Sequence, residues 1–406
     1  MNLLFLTLSN MNSISQRGIY ADLMRKFRDE GHNVFIVSPC ERRNNQPTHV
    51  LDVDGVKLLK VKTLNIQKTN ILEKGLGTLL IEKQYIKAIK EYFSGVEFDL
   101  ITYSTPPITF TNAVKYLKKN NPNAISYLQL KDIFPQNAVD IGMFGKKSAF
   151  NWFFRRKEKE LYKASDFIGC MSPANVNYIL EHNDYIDKRK VEVAPNSIEL
   201  KEKVFEEGQE KAERYYIRKK YDLPTDKTIF IYGGNLGKPQ GIGYLIKCLE
   251  ANKNRQDCYF VVVGSGTEYP RLKAWYDNLN HNEYSCVKLM QGLPKEDYDM
   301  LVRYCDVGLI FLDHRFTIPN YPSRLLSYLE NKMPIICATD VNTDIGKIAE
   351  ENGYGYWCES NSVEAFTSVL DKMLVSDRKN MGERGFDFLM NNYLVENTYN
   401  AIMSHV

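Results

Sequence analysis

The sequence predicts an α/β chain of two doubly wound domains. Three observations carry that expectation: short apolar runs alternate with amphipathic stretches, the alternation stops at a charged segment near residue 200, and it then begins again. The first apolar run is 3–8. Residues 18–30 follow with helical periodicity, with Ile19, Leu23, Met24 and Phe27 on one side. Gly31-His32 ends that stretch and 34–37 is the next strand, which is the spacing of a parallel sheet covered on both faces. Asp54-Gly55, between two extended runs, reads as a hairpin turn. Further strands are expected at 100–103, 125–128, 167–170 and 191–194. Residues 199–220 are rich in Glu and Lys with few apolar anchors, and read as a solvated, partly helical linker. The second series runs through 228–232, 259–263, 287–290, 307–311 and 334–338. The expected division is a domain at 1–198, a linker at 199–226, a domain at 227–385, and a C-terminal helix within 386–406 packing back toward the first domain. Two such domains place a ligand in the cleft they face, at the carboxyl ends of their strands.

The chain of 406 residues is 44% hydrophobic and 25% charged, as a soluble globular protein is. No apolar run approaches the roughly 18 residues of a membrane span. Residues 1–8 lack a basic stretch and a small-residue cleavage site, so they read as a strand and not as a signal peptide. Eight cysteines are scattered with no CxxC pair, and six histidines are equally dispersed. Free buried thiols in a reducing cytoplasm follow, and a structural zinc site does not. The net charge of +3 is uneven: residues 1–195 carry 28 Lys/Arg against 20 Asp/Glu, and residues 196–406 carry 25 against 30. A basic first half suits an anionic lipid surface or a phosphorylated acceptor, or is plain surface composition.

Two motifs carry chemistry. Gly233-Gly234-Asn235-Leu236-Gly237-Lys238-Pro239-Gln240-Gly241 follows a strand and precedes a helix. Glycines there let backbone amides close on an anion at a helix start, and Lys238 adds a charge. Neither GxxxxGK[ST] nor GxGxxG is present, so without further support the turn is equally a plain strand-to-helix connection. In the second motif, Pro322 suits the first turn of a helix, which puts Ser323 and Arg324 beside unpaired amides. Hydroxyl, guanidinium and helix start together suit a diphosphate, whereas alone they describe a capped helix with a surface arginine.

Nearly the full length resembles the retaining glycosyltransferases of family 4, which have the GT-B fold of two Rossmann-like domains facing a central cleft. The residues carrying the resemblance are Gly31-His32, the turn at 234–241, Val263-Gly264-Ser265-Gly266, Gln291-Gly292-Leu293-Pro294, Asp306-Val307-Gly308-Leu309 and the stretch from Pro322-Ser323-Arg324 to Lys332-Met333-Pro334-Ile335. Lys131-Asp132-Ile133-Phe134-Pro135 is similar to the Arg-Asp-Leu-Trp-Pro segment of members that build bacterial O-antigen, capsule and exopolysaccharide. The family's Glu-x7-Glu pair is replaced by Pro319 and Ser327, and the Arg and Lys of its first C-domain loop by Asn235 and Gln240.

The resemblance implies a cytoplasmic transferase that uses a nucleotide-sugar of the UDP class and needs neither cofactor nor metal. Gly234, Asn235, Gly237, Lys238, Ser323 and Arg324 would hold the diphosphate, with Gln240 and Pro322 also in the donor-binding set. Gly292 and Leu293 would meet the base, and Ser327 the ribose. Arg17 and Gly18 would approach the donor from the first domain. Asp132, with Lys131 beside it, is the candidate to contact the sugar or to act as base on an acceptor hydroxyl, or else is a helix N-cap or turn residue before Pro135. Asp52-Val53-Asp54 spells the DxD that binds metal in other glycosyltransferases, but Asp54-Gly55 is the expected hairpin turn. His314 is a lone loop histidine. Between Lys146 and Lys163 basic residues interleave with aromatics, and Trp152, Phe153, Arg155, Arg156 and Lys157 are candidates for an anionic membrane surface carrying a lipid-linked acceptor. The same pattern also describes an aromatic core face with a solvated basic face. No nucleic-acid module accompanies the charge. Alternatives are a sugar-nucleotide 2-epimerase of the same fold, which needs cleft carboxylates and a histidine, and a non-catalytic subunit of a polysaccharide complex.

Overall fold

A computed structural model describes residues 1–66, 69, 71–200, 209–279 and 285–406, and of 71, 72 and 74 the backbone alone. Two compact units are present, one built from Met1–Glu199 with Tyr393–Val406 and the other from Leu200–Asn392.

The first unit holds β1 (Asn2–Leu6), β2 (Asn33–Glu41), β3 (His49–Val53), β4 (Val56–Thr63), β5 (Leu100–Ser104), β6 (Ile125–Leu130), β7 (Phe167–Cys170) and β8 (Val191–Val193). They form one sheet in the order β3-β4-β2-β1-β5-β6-β7-β8, in which only β3 and β4 pair antiparallel. Leu3, Leu4, Phe5 and Leu6 are fully buried, as a central strand covered on both faces requires. The helix Ile19–Asp29 packs its Leu23, Met24 and Phe27 into the core beside that strand. Asp54 and Gly55 take φ of 55° and 75°, the paired left-handed geometry of a two-residue hairpin turn. The strand order reverses between β1 and β5, so the loops after these strands flank a topological switch point.

The second unit holds β9 (Thr228–Asn235), β10 (Cys258–Ser265), β11 (Val287–Gln291), β12 (Val307–Phe311), β13 (Ile335–Thr339) and β14 (Gly355–Glu359). Their order is β11-β10-β9-β12-β13-β14, all parallel. This order reverses between β9 and β12. Those two strands pair only at Val307–Phe230 and Gly308–Ile231, and then part. Tyr328 occupies the gap, with its hydroxyl 3.2 Å from the Ile231 carbonyl oxygen and 3.3 Å from that of Leu309. Position 308 has to be glycine, because a Cβ there would overlap the Tyr328 ring.

Two expectations change. The described part of the charged stretch is not a solvated linker: the helix Gln209–Lys220 belongs to the second unit. Arg218 is buried there, bonded to the carbonyls of Tyr304, Pro224 and Lys227 and paired with Asp306 at 2.7 Å, while Arg214 shares the same carboxylate. A fully satisfied arginine anchors as an apolar residue would, and composition does not show it. Residues 201–208 of that stretch lie outside the described residues. At the other end, the chain leaves the second unit after the helix Arg378–Asn392, so the division falls at Tyr393 and not at 386. Only the helix Val395–Met403 packs with the first unit, where Val395 and Ile402 join Met24 and Phe27 in the core. All eight cysteines are buried and unbridged. Among the described residues no helix is long and apolar enough to cross a membrane.

Candidate functional site

In the second unit the carboxyl ends of β9, β10 and β11 converge. Leu236 donates to the Ser265 carbonyl at 2.9 Å and Glu268 to the Leu236 carbonyl at 2.8 Å, which ties the two glycine turns together. A Cβ at Gly264 would fall on the Gly234 carbonyl oxygen, and one at Gly266 on that of Leu236, so this approach exists only with glycine. Gly292 lies against Ser265 from the third strand. Gly234 has φ of 115°, and with Asn235 and Lys238 it is exposed. Gly241, left-handed at φ 60°, starts the eleven-residue helix Ile242–Asn252, whose first amides, those of Ile242 and Gly243, have no partner among the described residues.

Arg324 reaches this turn from the far side of the switch point. Its guanidinium carbon sits 4.3 Å from the centroid of Tyr232, its Nη2 is directed at Gly234, and its Nη1 is buried with no hydrogen-bond partner. Among the described residues no carboxylate pairs with it. A desolvated cation without a counter-ion, beside exposed glycine amides, is built for an anion.

Several expected donor residues sit differently. The helix here is only Arg324–Glu330, so Pro322 lies outside it and Ser323 is its N-cap, exposed and making no side-chain cap. Leu325 donates to Pro322 and Leu326 to Ser323, and the amides left over are those of Ser323 and Arg324. Pro319, where the family has a carboxylate, is buried in the preceding loop. The Gln240 Oε1 braces the turn itself, accepting from the Gly237 amide at 3.1 Å and from the Asn235 side-chain amide at 3.3 Å. That oxygen shapes the turn. Gly237 is buried beneath it. Ser327 is half-buried one turn after Arg324, Leu293 is half-buried after β11, and His314 is exposed. The loop carrying Pro322 is fixed from β13: Thr343 accepts from the Asn320 amide at 3.0 Å, and the buried Asp340 carboxylate holds Thr343 in turn. Burial raises Asp340 to about 6.

In the first unit, Lys131 and Asp132 follow β6. The Thr105 hydroxyl, just past β5, lies within hydrogen-bond distance of both their amides, at 2.9 and 3.1 Å. Asp132 is not a cap: the helix Gln136–Asp140 has Pro135 at its N-cap with no side-chain bond, and the Asp132 carboxylate accepts no bond among the described residues. Burial raises Asp132 to about 6 and lowers Lys131 to about 7. Both are half-buried titratable groups at a strand's carboxyl end.

The loop after β1 is held by four side chains, a device the sequence does not reveal. Asp54 of the hairpin accepts from the Ser13 hydroxyl at 2.5 Å and from the amides of Ile14 and Ser15. Those bonds hold its pKa below the usual carboxylate range. Arg25 reaches the carbonyls of Ile14 and Gln16. Buried Lys60 donates to Asn10 and to the Met11 carbonyl, both at 2.6 Å, and Ser38 donates to the Ser9 carbonyl. The loop ends at Gly18, whose amide donates to Asp22, while Arg17 reaches toward the Glu199 carbonyl at 3.4 Å.

The basic helix Ala149–Ala164 only partly matches expectation. Arg155 is tied to the buried Glu158 at 2.7 Å and to Gln136 at 2.6 Å, and so is an internal strut and not a membrane contact. Phe153 packs on Phe154, which packs on Phe134. Arg156 and Lys157 both pair with Glu160. The outward residues include Trp152 and Phe150, 67% and 68% exposed, Met143 at 63%, and exposed Arg156, Lys146 and Lys147.

Comparison with known proteins places this arrangement. Residues 213–388 match the family model Glycosyl transferases group 1. WbjE of Pseudomonas aeruginosa, named as a glycosyltransferase, is 25% identical over 270 residues, covering 66% of this chain and 64% of its own length. WcaI of Escherichia coli strain K12, named for colanic acid biosynthesis as a glycosyl transferase, is 25% identical over 174 residues, 42% of this chain and 41% of its own. Matching thus spans less than two thirds of either relative. Sucrose-phosphate synthase from Thermosynechococcus elongatus superposes with a TM-score of 0.76 at 15% identity, covering 100% of this chain and 98% of that one. HepE from Anabaena, solved in complex with UDP, gives 0.68 at 12% identity, covering 100% and 99%. At such identities the likeness establishes the fold. Residues 213–388 are a group 1 glycosyltransferase domain, and the chain that carries them has the GT-B architecture.

Proposed function

We propose that the protein is a retaining glycosyltransferase. It moves a sugar from a nucleotide-diphosphate donor of the UDP class to a glycan or lipid-linked glycan acceptor in bacterial surface-polysaccharide synthesis. The observation that carries the proposal is Arg324, whose Nη1 is buried without a partner and which pairs with no carboxylate among the described residues, aimed at the Gly234 turn where two strands part. The names of WbjE and WcaI support the reaction class and pathway type, and the UDP held by HepE supports the donor class.

The largest electrostatic task is the charge that develops on the departing nucleoside diphosphate. Arg324, Lys238 and the free amides of Ser323, Arg324, Ile242 and Gly243 meet it in this reading, which asks for no metal. Gly292 and Leu293 face the base and Ser327 the ribose. Asp132 takes the proton of the acceptor hydroxyl, and the nucleophile enters on the face the diphosphate leaves, which retains the anomeric configuration. Saturating UDP is expected to raise the melting temperature, by an amount corresponding to about 2.7 kcal/mol at a hundredfold excess over Kd, with or without EDTA. A folded protein that UDP does not stabilise would sink the reading, and a shift abolished by EDTA would sink its metal-free form.

The acceptor side we assign to the cytoplasmic face of a membrane, through Phe150, Trp152 and Met143 flanked by Lys146 and Lys147. The double variant Phe150→Ser/Trp152→Ser is expected to weaken sedimentation with vesicles containing anionic lipid severalfold, and to leave the UDP-induced melting shift unchanged. Equal vesicle binding by wild type and variant would remove this assignment.

A further inference from the structure

Arginines that must hold one orientation are usually fixed by a carboxylate. Such a partner would also neutralise the charge an incoming diphosphate needs. The second unit solves this differently. Tyr232 is fully buried on β9, and its ring lies under the Arg324 guanidinium at 4.3 Å. An aromatic face fixes the plane of a guanidinium while leaving its N–H donors free in that plane. The Tyr232 hydroxyl also donates to the Asn235 carbonyl at 3.0 Å, bracing the exposed end of the glycine turn. One side chain therefore bonds to the β9 side of the parting strands and stacks against the group arriving from the β12 side. Its own place is set by Phe311, edge-on at 6.1 Å. Tyr298 covers Gly233 and Tyr328 covers Gly308, completing an aromatic wall.

We propose that Tyr232 is the positioning residue of the diphosphate site: it orients Arg324 without neutralising it and sets the guanidinium in register with the 234–235 turn. The proposal rests on the reading of Arg324 as the diphosphate ligand. It predicts that what matters at 232 is an aromatic face.

The test measures the Kd for UDP by titration calorimetry. Tyr232→Phe, which keeps the ring and loses the brace, is expected to stay within about threefold of wild type. Tyr232→Met, which fills similar space without a π face, is expected to weaken UDP by roughly tenfold or more. In an Arg324→Ala background the Met substitution should cost nothing further, because its effect passes through the guanidinium. A Met variant within twofold of wild type, or an undiminished Met effect in the Arg324→Ala background, overturns the proposal. The underlying reading fails separately, if Arg324→Ala alone leaves the Kd unchanged. Should the Met variant not fold, wild-type protein labelled with ¹⁵N-arginine decides. The Arg324 Nε–H signal, assigned by its absence in Arg324→Lys, is expected to carry a ring-current shift that Tyr232→Phe preserves. An unshifted signal averaged by free rotation overturns the proposal.

Discussion

Asp132→Asn is expected to lower turnover by roughly 10²- to 10⁴-fold and to leave the Kd for UDP unchanged, the pattern of a lost general base. The carboxylate lacks any hydrogen-bond partner among the described residues, so the amide removes little from the fold. Burial raises the group to about 6, and a base works only when ionised. Wild-type turnover should therefore rise with pH through about 6 and level off above it, while the Asn variant shows no such step. The paired measurement is single-turnover transfer across pH 5 to 8 with both proteins. A wild-type profile that is flat across pH 6, or an Asn variant with near-native turnover, removes Asp132 from the chemistry and returns it to the loop.

Arg324→Ala is expected to cost about 1.5–3 kcal/mol of transition-state stabilisation, roughly 10- to 150-fold in kcat/KM, and to abolish most of the UDP-induced melting shift. Its effect on the melting temperature without ligand should be small. Truncation loses the stack on Tyr232 but also removes an Nη1 buried with no partner. The two effects oppose each other. A residue that helps the ligand and does little for the empty fold is what a binding site held under electrostatic tension predicts. If the variant instead melts far below wild type while binding UDP normally, Arg324 is a structural residue and the diphosphate site lies elsewhere.

The sheet was legible because parallel strands buried on both faces are nearly continuous apolar runs. The expected runs at 167–170 and 307–311 coincide with β7 and β12, and the others fall within a few residues of theirs. The edge strand β14 went unread: Gly355-Tyr356-Trp357-Cys358-Glu359 has neither a long apolar run nor a clean alternation. The glycine turn and Arg324 were legible as types at suggestive spacing. Their relation was not, because it depends on β9 and β12 parting after Gly308, and pairing lengths are set by tertiary packing. The same holds for Gln240, whose spacing does not show its oxygen bracing the turn, and for Arg155, whose charge gives no hint that it pairs with a buried glutamate. Thr105, Tyr232 and Arg25 act through partners distant in sequence, and no local pattern marks them.

The return of the chain at Tyr393 makes the C-terminal unit, topologically, an insertion in the other. Ile198 donates to the Tyr393 carbonyl and Val395 to that of Ile198, so its two ends are stapled by a single parallel bridge between Ile198 and Leu394. The order of synthesis then matters. The N-terminal unit cannot complete its core until Val395 and Ile402 emerge behind the whole insertion, whereas the insertion has all its strands beforehand. On a ribosome the inserted unit is free to finish folding first, and the unit that precedes it in the chain is the one that waits.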